Sequence, residues 1–334
     1  MHYFKNDYSD GGHPKVLQAL LDNSASLETG YGEDTYSEEA RELIKSACKT
    51  PDALIRFVSG GTQANLIIIS SILKPHETVI SASSGHINKH EAGAIEATGH
   101  KVDIVDTPDG KLSPELVQIA LNRFEDCHTV LPRLVYISNT TELGTVYSKA
   151  ELTELSEFCK SKGLYLFMDG ARLASGLAAS DLTLEDIAAL TDVFYIGGTK
   201  NGALFGEAIV ITNPDLQEHF DFHIKQRGAL LAKGRALGVQ FKTLFEENLY
   251  LELGTHANQM ATILADGITA AGYDFESAPE SNQIFPILPN TLIEKLEQHV
   301  AFYVWTPKKE KSSIRLVTSW KTTDAEVQDF LSLL

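Results

Sequence analysis

The sequence predicts an α/β protein, with a mostly parallel sheet in a large domain over residues 1–247 and a small α+β domain over residues 248–334. Three observations predict it. Short apolar runs alternate with helical periodicity from about residue 50 to 212, as expected of strands joined through crossover helices. Polar and glycine-rich turns follow those runs, on the edge where open sheets of this kind bind ligands. Past Asn248 the pattern changes to one long helix, several short strands and a final helix.

Composition narrows the function classes. The 334 residues allow ample core, and a formal net charge of −17 argues against general nucleic-acid binding while leaving room for a local positive pocket. Cys48, Cys127 and Cys159 are scattered without C-x-x-C spacing. Such a set suits a reducing, cytoplasmic setting and gives neither a metal site nor a disulfide framework. Met1 to Asp7 runs directly into polar residues, so no signal peptide is expected. No apolar stretch reaches membrane-spanning length, so no membrane partner is expected either.

Taken in order, Asn6 to Gly12 is a polar arm, expected to be exposed and mobile, although its side chains could reach a site. His13-Pro14 opens a helix through Leu17, Leu20 and Leu21. Gly30-Tyr31-Gly32 is a permissive loop whose tyrosine can pack inward, enter a pocket or cross an interface. A helix from Ser37 through Cys48 precedes the strand Leu54–Val58. Ser59-Gly60-Gly61-Thr62 then leads into a helix, a turn suited to an anion because helix N-terminal N–H groups are free. It is neither a Walker A loop nor G-x-G-x-x-G. After the strand at Val79-Ile80 come His86, a flat ring able to stack on a cofactor, and Glu91, able to face the same cleft.

The strand Lys101–Val105 is followed by Ser113 and Pro114, an N-cap and first helical position. Leu134–Ser138 is a strand ending in Asn139-Thr140-Thr141-Glu142, and Ser148 to Lys160 is helical. Leu164–Met168 and Val193–Ile196 are buried strands, and Gly206–Ile211 closes the sheet. A basic segment from His223 to Arg235 stands out in so acidic a chain. In the C-terminal part, a helix is expected over Thr255–Ala271, with strands at Gln283–Leu288, Phe302–Trp305 and Ile314–Thr318 and a last helix from Thr323 to Leu334. Arg315 lies inside an apolar strand. A substrate carboxylate or a salt bridge within the domain would account for it.

Two residues carry the chemistry. Asp169 ends the strand after Met168, and Lys200 follows the strand Val193–Ile196 across the turn Gly197-Gly198-Thr199. Burial favours the neutral amine of a lysine, and a neutral amine can form a Schiff base with an aldehyde. Pyridoxal phosphate enzymes need such a lysine and an acid against the pyridinium nitrogen.

The G-G-T turn, the Gly85-His86 segment, the M-D-G-A-R box and the G-T-K lysine resemble fold-type I pyridoxal phosphate enzymes. More narrowly, the N-D-Y-S arm, the G-Y-G-E-D loop and the I-R-L-V-T-S-W strand resemble the threonine aldolase and β-eliminating lyase group. The resemblance spans nearly the whole chain. It implies that Lys200 holds the cofactor, Asp169 pairs with the pyridinium and His86 stacks on the ring. It implies that Gly60, Gly61, Thr62, Arg172 and Thr199 hold the cofactor, with Arg235 contributing from a neighbouring subunit. Arg172 and Arg315 would clamp the substrate carboxylate, with Asn6 and Tyr31 nearby. A homodimer or homotetramer acting on a small amino-acid substrate is implied, with cleavage of threonine or allo-threonine to glycine and acetaldehyde. Catalysis would rest on Lys200, His86 and Glu91. The group commonly has a histidine in its N-T-H segment facing the β-hydroxyl; here Asn139 to Glu142 contains none, leaving Glu142, Glu91 or a water for that proton. β-Elimination and aminotransfer are the alternative reactions, and a silent binding protein on this fold is the alternative of another class.

Overall fold

A computed structural model describes residues 1–334. The first strand, His2–Tyr3 (β1), belongs to the N-terminal arm. Seven strands form the main sheet: Leu54–Val58 (β2), Glu77–Ala82 (β3), Lys101–Val105 (β4), Leu131–Ser138 (β5), Tyr165–Asp169 (β6), Val193–Gly197 (β7) and Glu207–Ile211 (β8). Their order is β2-β8-β7-β6-β5-β3-β4. β8 runs antiparallel to both neighbours, and the other pairs are parallel. The mostly parallel sheet expected from the alternating pattern is therefore present.

The central strands read as continuous apolar runs because both faces of the sheet are covered. Alternate side chains enter different cores: Leu166, Met168, Phe194 and Ile196 face one, and Phe167, Val193 and Tyr195 face the other. Asp169 keeps the parity of Phe167, so it emerges on the face that carries Tyr195 and Tyr136. Helix ends follow the sequence cues. Ser113 caps the helix Pro114–Leu121, and Ser148 with Glu151 forms a capping box on Lys149–Lys162, which Gly163 ends at φ 67°.

The C-terminal part holds a third core around Leu264, Ile268, Leu288, Ile314 and Leu316. Its strands are Gln283–Ile284 (β9), Ile287–Pro289 (β10), Val300–Ala301 (β11), Tyr303–Thr306 (β12) and Lys311–Val317 (β13). The single strand expected over Gln283–Leu288 is two, because Pro286 has no N–H for a ladder and breaks it between β9 and β10. The long helix runs from Leu249 to Ala270, earlier than expected. Its first turns feed the large core through Leu249 and Leu253, and its later turns feed the third core through Met260 and Leu264.

The start of the N-terminal arm is packed against the C-terminal part rather than exposed. β1 pairs with β11 in parallel, and Phe4 is 1% exposed, packed edge-on to Phe330 in the third core. An aromatic ring among polar neighbours anchors the arm. No helix is long and apolar enough to cross a membrane.

Candidate active site

The site begins where β6 and β7 end. The Gly197 amide donates to the Gly170 carbonyl at 2.9 Å, and a Cβ on Gly170 would lie 1.9 Å from the Tyr195 carbonyl oxygen. Only glycine permits that approach, and it brings Asp169 and the turn carrying Lys200 to the same cavity, about 380 Å³ in volume. Asp169 accepts from the Tyr136 hydroxyl at 2.6 Å, the Tyr195 hydroxyl at 2.5 Å, the Asn65 amide at 3.1 Å and the Ala171 N–H at 3.0 Å. Burial opposes its charge, but the field of His86 and these donors prevail and hold the carboxyl below its usual value. Lys200 is half-buried. Burial and the nearby Arg172 charge lower its pKa, against the pull of Asp7, Asp169 and Glu207.

The helix Gly61–Ile72 points its N-terminus into this cavity, which Gly60, Gly61 and Thr62 line. The Gly61 and Thr62 amides donate to no group of the chain, and no side chain caps the helix. Free amides at the positive end of a helix dipole suit an anion. His86 opens a short helix across the cavity, and its Nδ1 lies 2.7 Å from Glu91 Oε1. Burial lowers the imidazole pKa, but Glu91 and Asp169 outweigh it and the net shift is upward. Glu91 is 6% exposed and lines neither this cavity nor the adjoining one. It acts on His86 from behind. Asn65, fully buried, donates to both Glu91 and Asp169 and links the two carboxylates.

A second cavity of about 500 Å³ shares Tyr8, His86, Glu142, Arg172 and Lys200 with the first. Arg315 lines its far side. It meets no carboxylate of the chain, contacting only the Lys5 carbonyl at 3.4 Å, and its Nε has no partner. The rings of Tyr303 and Trp305 hold the guanidinium at 5.2 and 5.1 Å. Arg172 is engaged differently: its Nε and Nη2 donate to Asp7 at 2.7 and 3.0 Å. Asn282 donates to the same carboxylate at 2.9 Å.

Asp7 is 1% exposed; burial opposes its charge, yet Arg172 and Lys200 hold its pKa below the usual value. A carboxyl whose folded pKa is depressed stabilises the fold above its unfolded value of about 3.9, and that stability is lost as pH falls through the folded value. Asp7→Asn is therefore expected to cost about 3–5 kcal/mol at pH 7, as for a broken buried pair, and far less once the pH has fallen below the folded value. Urea denaturation at the two pH values checks this.

Thr199 lines the first cavity with its hydroxyl engaged, donating to Glu207 at 2.8 Å and accepting from the Gly206 N–H at 2.9 Å. Three other residues expected at the site lie elsewhere. Asn6 is buried, bonded to the Tyr3 hydroxyl and the Tyr8 N–H, and it is Tyr8 from the same arm that enters both cavities. Tyr31, at φ 63°, lines a separate cleft of about 310 Å³, with Lys225 5.0 Å over its ring. Arg235 donates to the Ser26 carbonyl at 2.6 Å and reaches neither cavity of its own chain.

Sequence reasoning missed Asp7, Tyr8, Asn65, Tyr136, Tyr195, Glu207 and Gln283. The tyrosines were legible only as core, since alternation along a strand does not reveal which hydroxyl meets a carboxylate. Glu207 opens β8 fully buried, and burial pushes its carboxyl up to about 8.

The donor set fits a flat, phosphorylated aldehyde cofactor: free amides for an anion, a carboxylate for a ring nitrogen, a half-buried amine for a carbonyl and an imidazole to cover a face. A model of the family described as Beta-eliminating lyase matches residues 9–290. The low specificity L-threonine aldolase of Pseudomonas aeruginosa is 32% identical over 333 residues, covering 98% of this chain and 95% of that protein. The solved threonine aldolase of Leishmania major is 49% identical with a TM-score of 0.99, covering 100% of this chain and 98% of that one. A mutant aspartate aminotransferase of Thermus thermophilus, 16% identical at a TM-score of 0.71, covers 99% of this chain and 90% of that one and shares the fold. With that match over most of its length and those relatives over nearly all of it, the chain belongs to the beta-eliminating lyase family, in its threonine aldolase group.

Proposed function

We propose that this protein is a pyridoxal phosphate-dependent lyase that splits threonine or allo-threonine between Cα and Cβ, releasing glycine and acetaldehyde. The observation that carries the reading is Arg315: a guanidinium with no carboxylate of its own, aimed into a cavity continuous with that of Lys200. The named relatives supply the substrate.

The cofactor, when bound, supplies an electron sink for the pair released from the breaking bond. The chain's own residues do the rest. Lys200 offers an amine whose lowered pKa favours the neutral, nucleophilic form. Asp169, kept ionised by the His86 field and its four donors, would hold a proton on a ring nitrogen of the bound cofactor. Gly61 and Thr62 would receive its phosphate, and His86 would cover one face of its ring. Arg315 and the remaining N–H groups of Arg172 grip the substrate carboxylate, which fixes the bond to be broken relative to the ring.

Tyr31 and Arg235 act, on this reading, in a second copy of the chain. They sit together, since Gly234 packs against Tyr31 and Gly32, and exposed Leu27 and Phe222 offer apolar surface for contact. Such a contact would make the protein a homodimer or homotetramer, and its few scattered cysteines fit a cytoplasmic setting.

The test is product identity. Purified protein with threonine should yield acetaldehyde and glycine; a 2-keto acid with ammonia overturns the reading. Arg315→Ala should raise KM for threonine about 10- to 100-fold, the loss of a charge-assisted hydrogen bond, with a smaller change in kcat.

A further inference from the structure

The retro-aldol step needs a base for the β-hydroxyl proton, and the segment Asn139 to Glu142 has no histidine to supply one. We infer, resting on the function proposed above, that Glu142 is the general base that takes this proton through Oε2. Its Oε1 is fixed, accepting from the His86 N–H at 2.9 Å and the Ser138 hydroxyl at 2.9 Å. Its Oε2 bonds to nothing in the chain, and the residue borders both cavities, the second of which Lys200 and Arg315 also line.

The turn that carries it is rigid. The Thr141 hydroxyl accepts from the Leu143 N–H at 3.2 Å and the Thr145 N–H at 3.3 Å, and lies 2.7 Å from the Thr145 hydroxyl. Thr141 itself is fully buried, Thr140 borders the first cavity alone, and Glu142 borders both.

The other carboxylate and the imidazoles serve less well. Glu91 is sealed behind His86 and reaches neither cavity. His86 is held towards its protonated form by Glu91, which makes it a donor. His90 is exposed and borders only the second cavity, away from Asp169.

Burial and the Asp169 charge raise the Glu142 pKa, against the Ser138 hydrogen bond and the His86 field. A carboxylate so raised is a stronger base at neutral pH. The groups facing it are His86, Asp169, Tyr136 and Arg172. Across the second cavity lie Tyr8, His90, Lys200, Tyr303 and Arg315.

In the step itself the O–H bond breaks and its proton passes to Glu142. The O–H pair becomes the second C–O bond of the aldehyde, and the Cα–Cβ pair remains on Cα. Cα then takes up a proton to give glycine, so the overall reaction consumes none.

Glu142→Gln tests this, since its amide carbonyl can keep both anchoring bonds while losing the basic oxygen. Two reactions are compared on the holoenzyme: threonine cleavage, and exchange of the glycine α-hydrogen with deuterated water, which needs no hydroxyl proton. The expected result is a fall in kcat for threonine of about 10²- to 10⁴-fold. Glycine exchange, the spectral titration with glycine and the melting temperature of the cofactor-free protein should stay unchanged. The wild-type kcat/KM should fall on the acid side with a midpoint above the usual glutamate value of ~4.3, and that limb should vanish in the variant. Glu91→Gln, acting through His86, should depress both reactions together.

Unaltered cleavage in Glu142→Gln overturns the assignment. So does equal loss of cleavage and exchange, which marks a structural role. Failure of the wild type itself to release aldehyde overturns the proposed reaction, and is read in a different sample.

Discussion

Replacing Lys200 with alanine is expected to give a folded protein that no longer carries pyridoxal phosphate covalently and cleaves threonine slower by a factor on the order of 10³ or more. Folding should survive because the Lys200 pKa is set by burial and by neighbouring charges, with no hydrogen bond among the causes. Removing it leaves no orphaned partner and relieves a partly buried charge. Chemistry should not survive, since no other lysine lines either cavity. Borohydride reduction followed by peptide mass analysis checks this: the wild type should carry the label on Lys200, and the variant should carry none. A label that moves to another lysine at full activity would show that the amine has been misassigned.

Asp169→Asn should come next in effect, slowing cleavage by roughly 10³-fold while the cofactor still binds. An asparagine is uncharged and cannot hold a proton on a ring nitrogen. Its amide would also turn one NH₂ towards the Tyr136 or Tyr195 hydroxyl, both of which now donate to the carboxylate. A lost acceptor at a buried hydroxyl costs about 1–3 kcal/mol, so the melting temperature should drop too. Asp169→Glu keeps the charge and should recover part of the rate. The depressed pKa of Asp169 also means that its own titration should not limit activity in the neutral range. A wild-type rate in the asparagine variant would remove the pyridinium role from this residue.

Much of this architecture was legible from the chain. Val193–Ile196 and Leu164–Met168 announce buried strands, because a sheet covered on both faces needs apolar residues at every position. A polar residue straight after such a run then lies at the ligand-binding edge, which is how Asp169 and Lys200 could be paired across thirty residues. What stayed illegible depends on distances that spacing does not encode. Arg172 meets Asp7 across 165 positions, so the partner of that guanidinium could not be read from its neighbours. The Thr199 hydroxyl turns back to Glu207 because β8 runs antiparallel beside β7 and sets Glu207 opposite Gly197. Tyr31 lines another cleft and Arg235 turns to the Ser26 carbonyl, since a motif in the right order does not say where its side chains point. The N-terminal arm was the plainest difference: its composition is that of a loose end, and one phenylalanine pins it.

That arm limits movement. Phe4 is locked among the C-terminal side chains and Asp7 is bolted to Arg172 beside the main sheet, with only Lys5 and Asn6 between. Three steps of extended backbone reach at most about 11 Å. The two halves of the molecule are thus on a short tether, and any breathing of the cleft as substrate enters and product leaves must stay within its length.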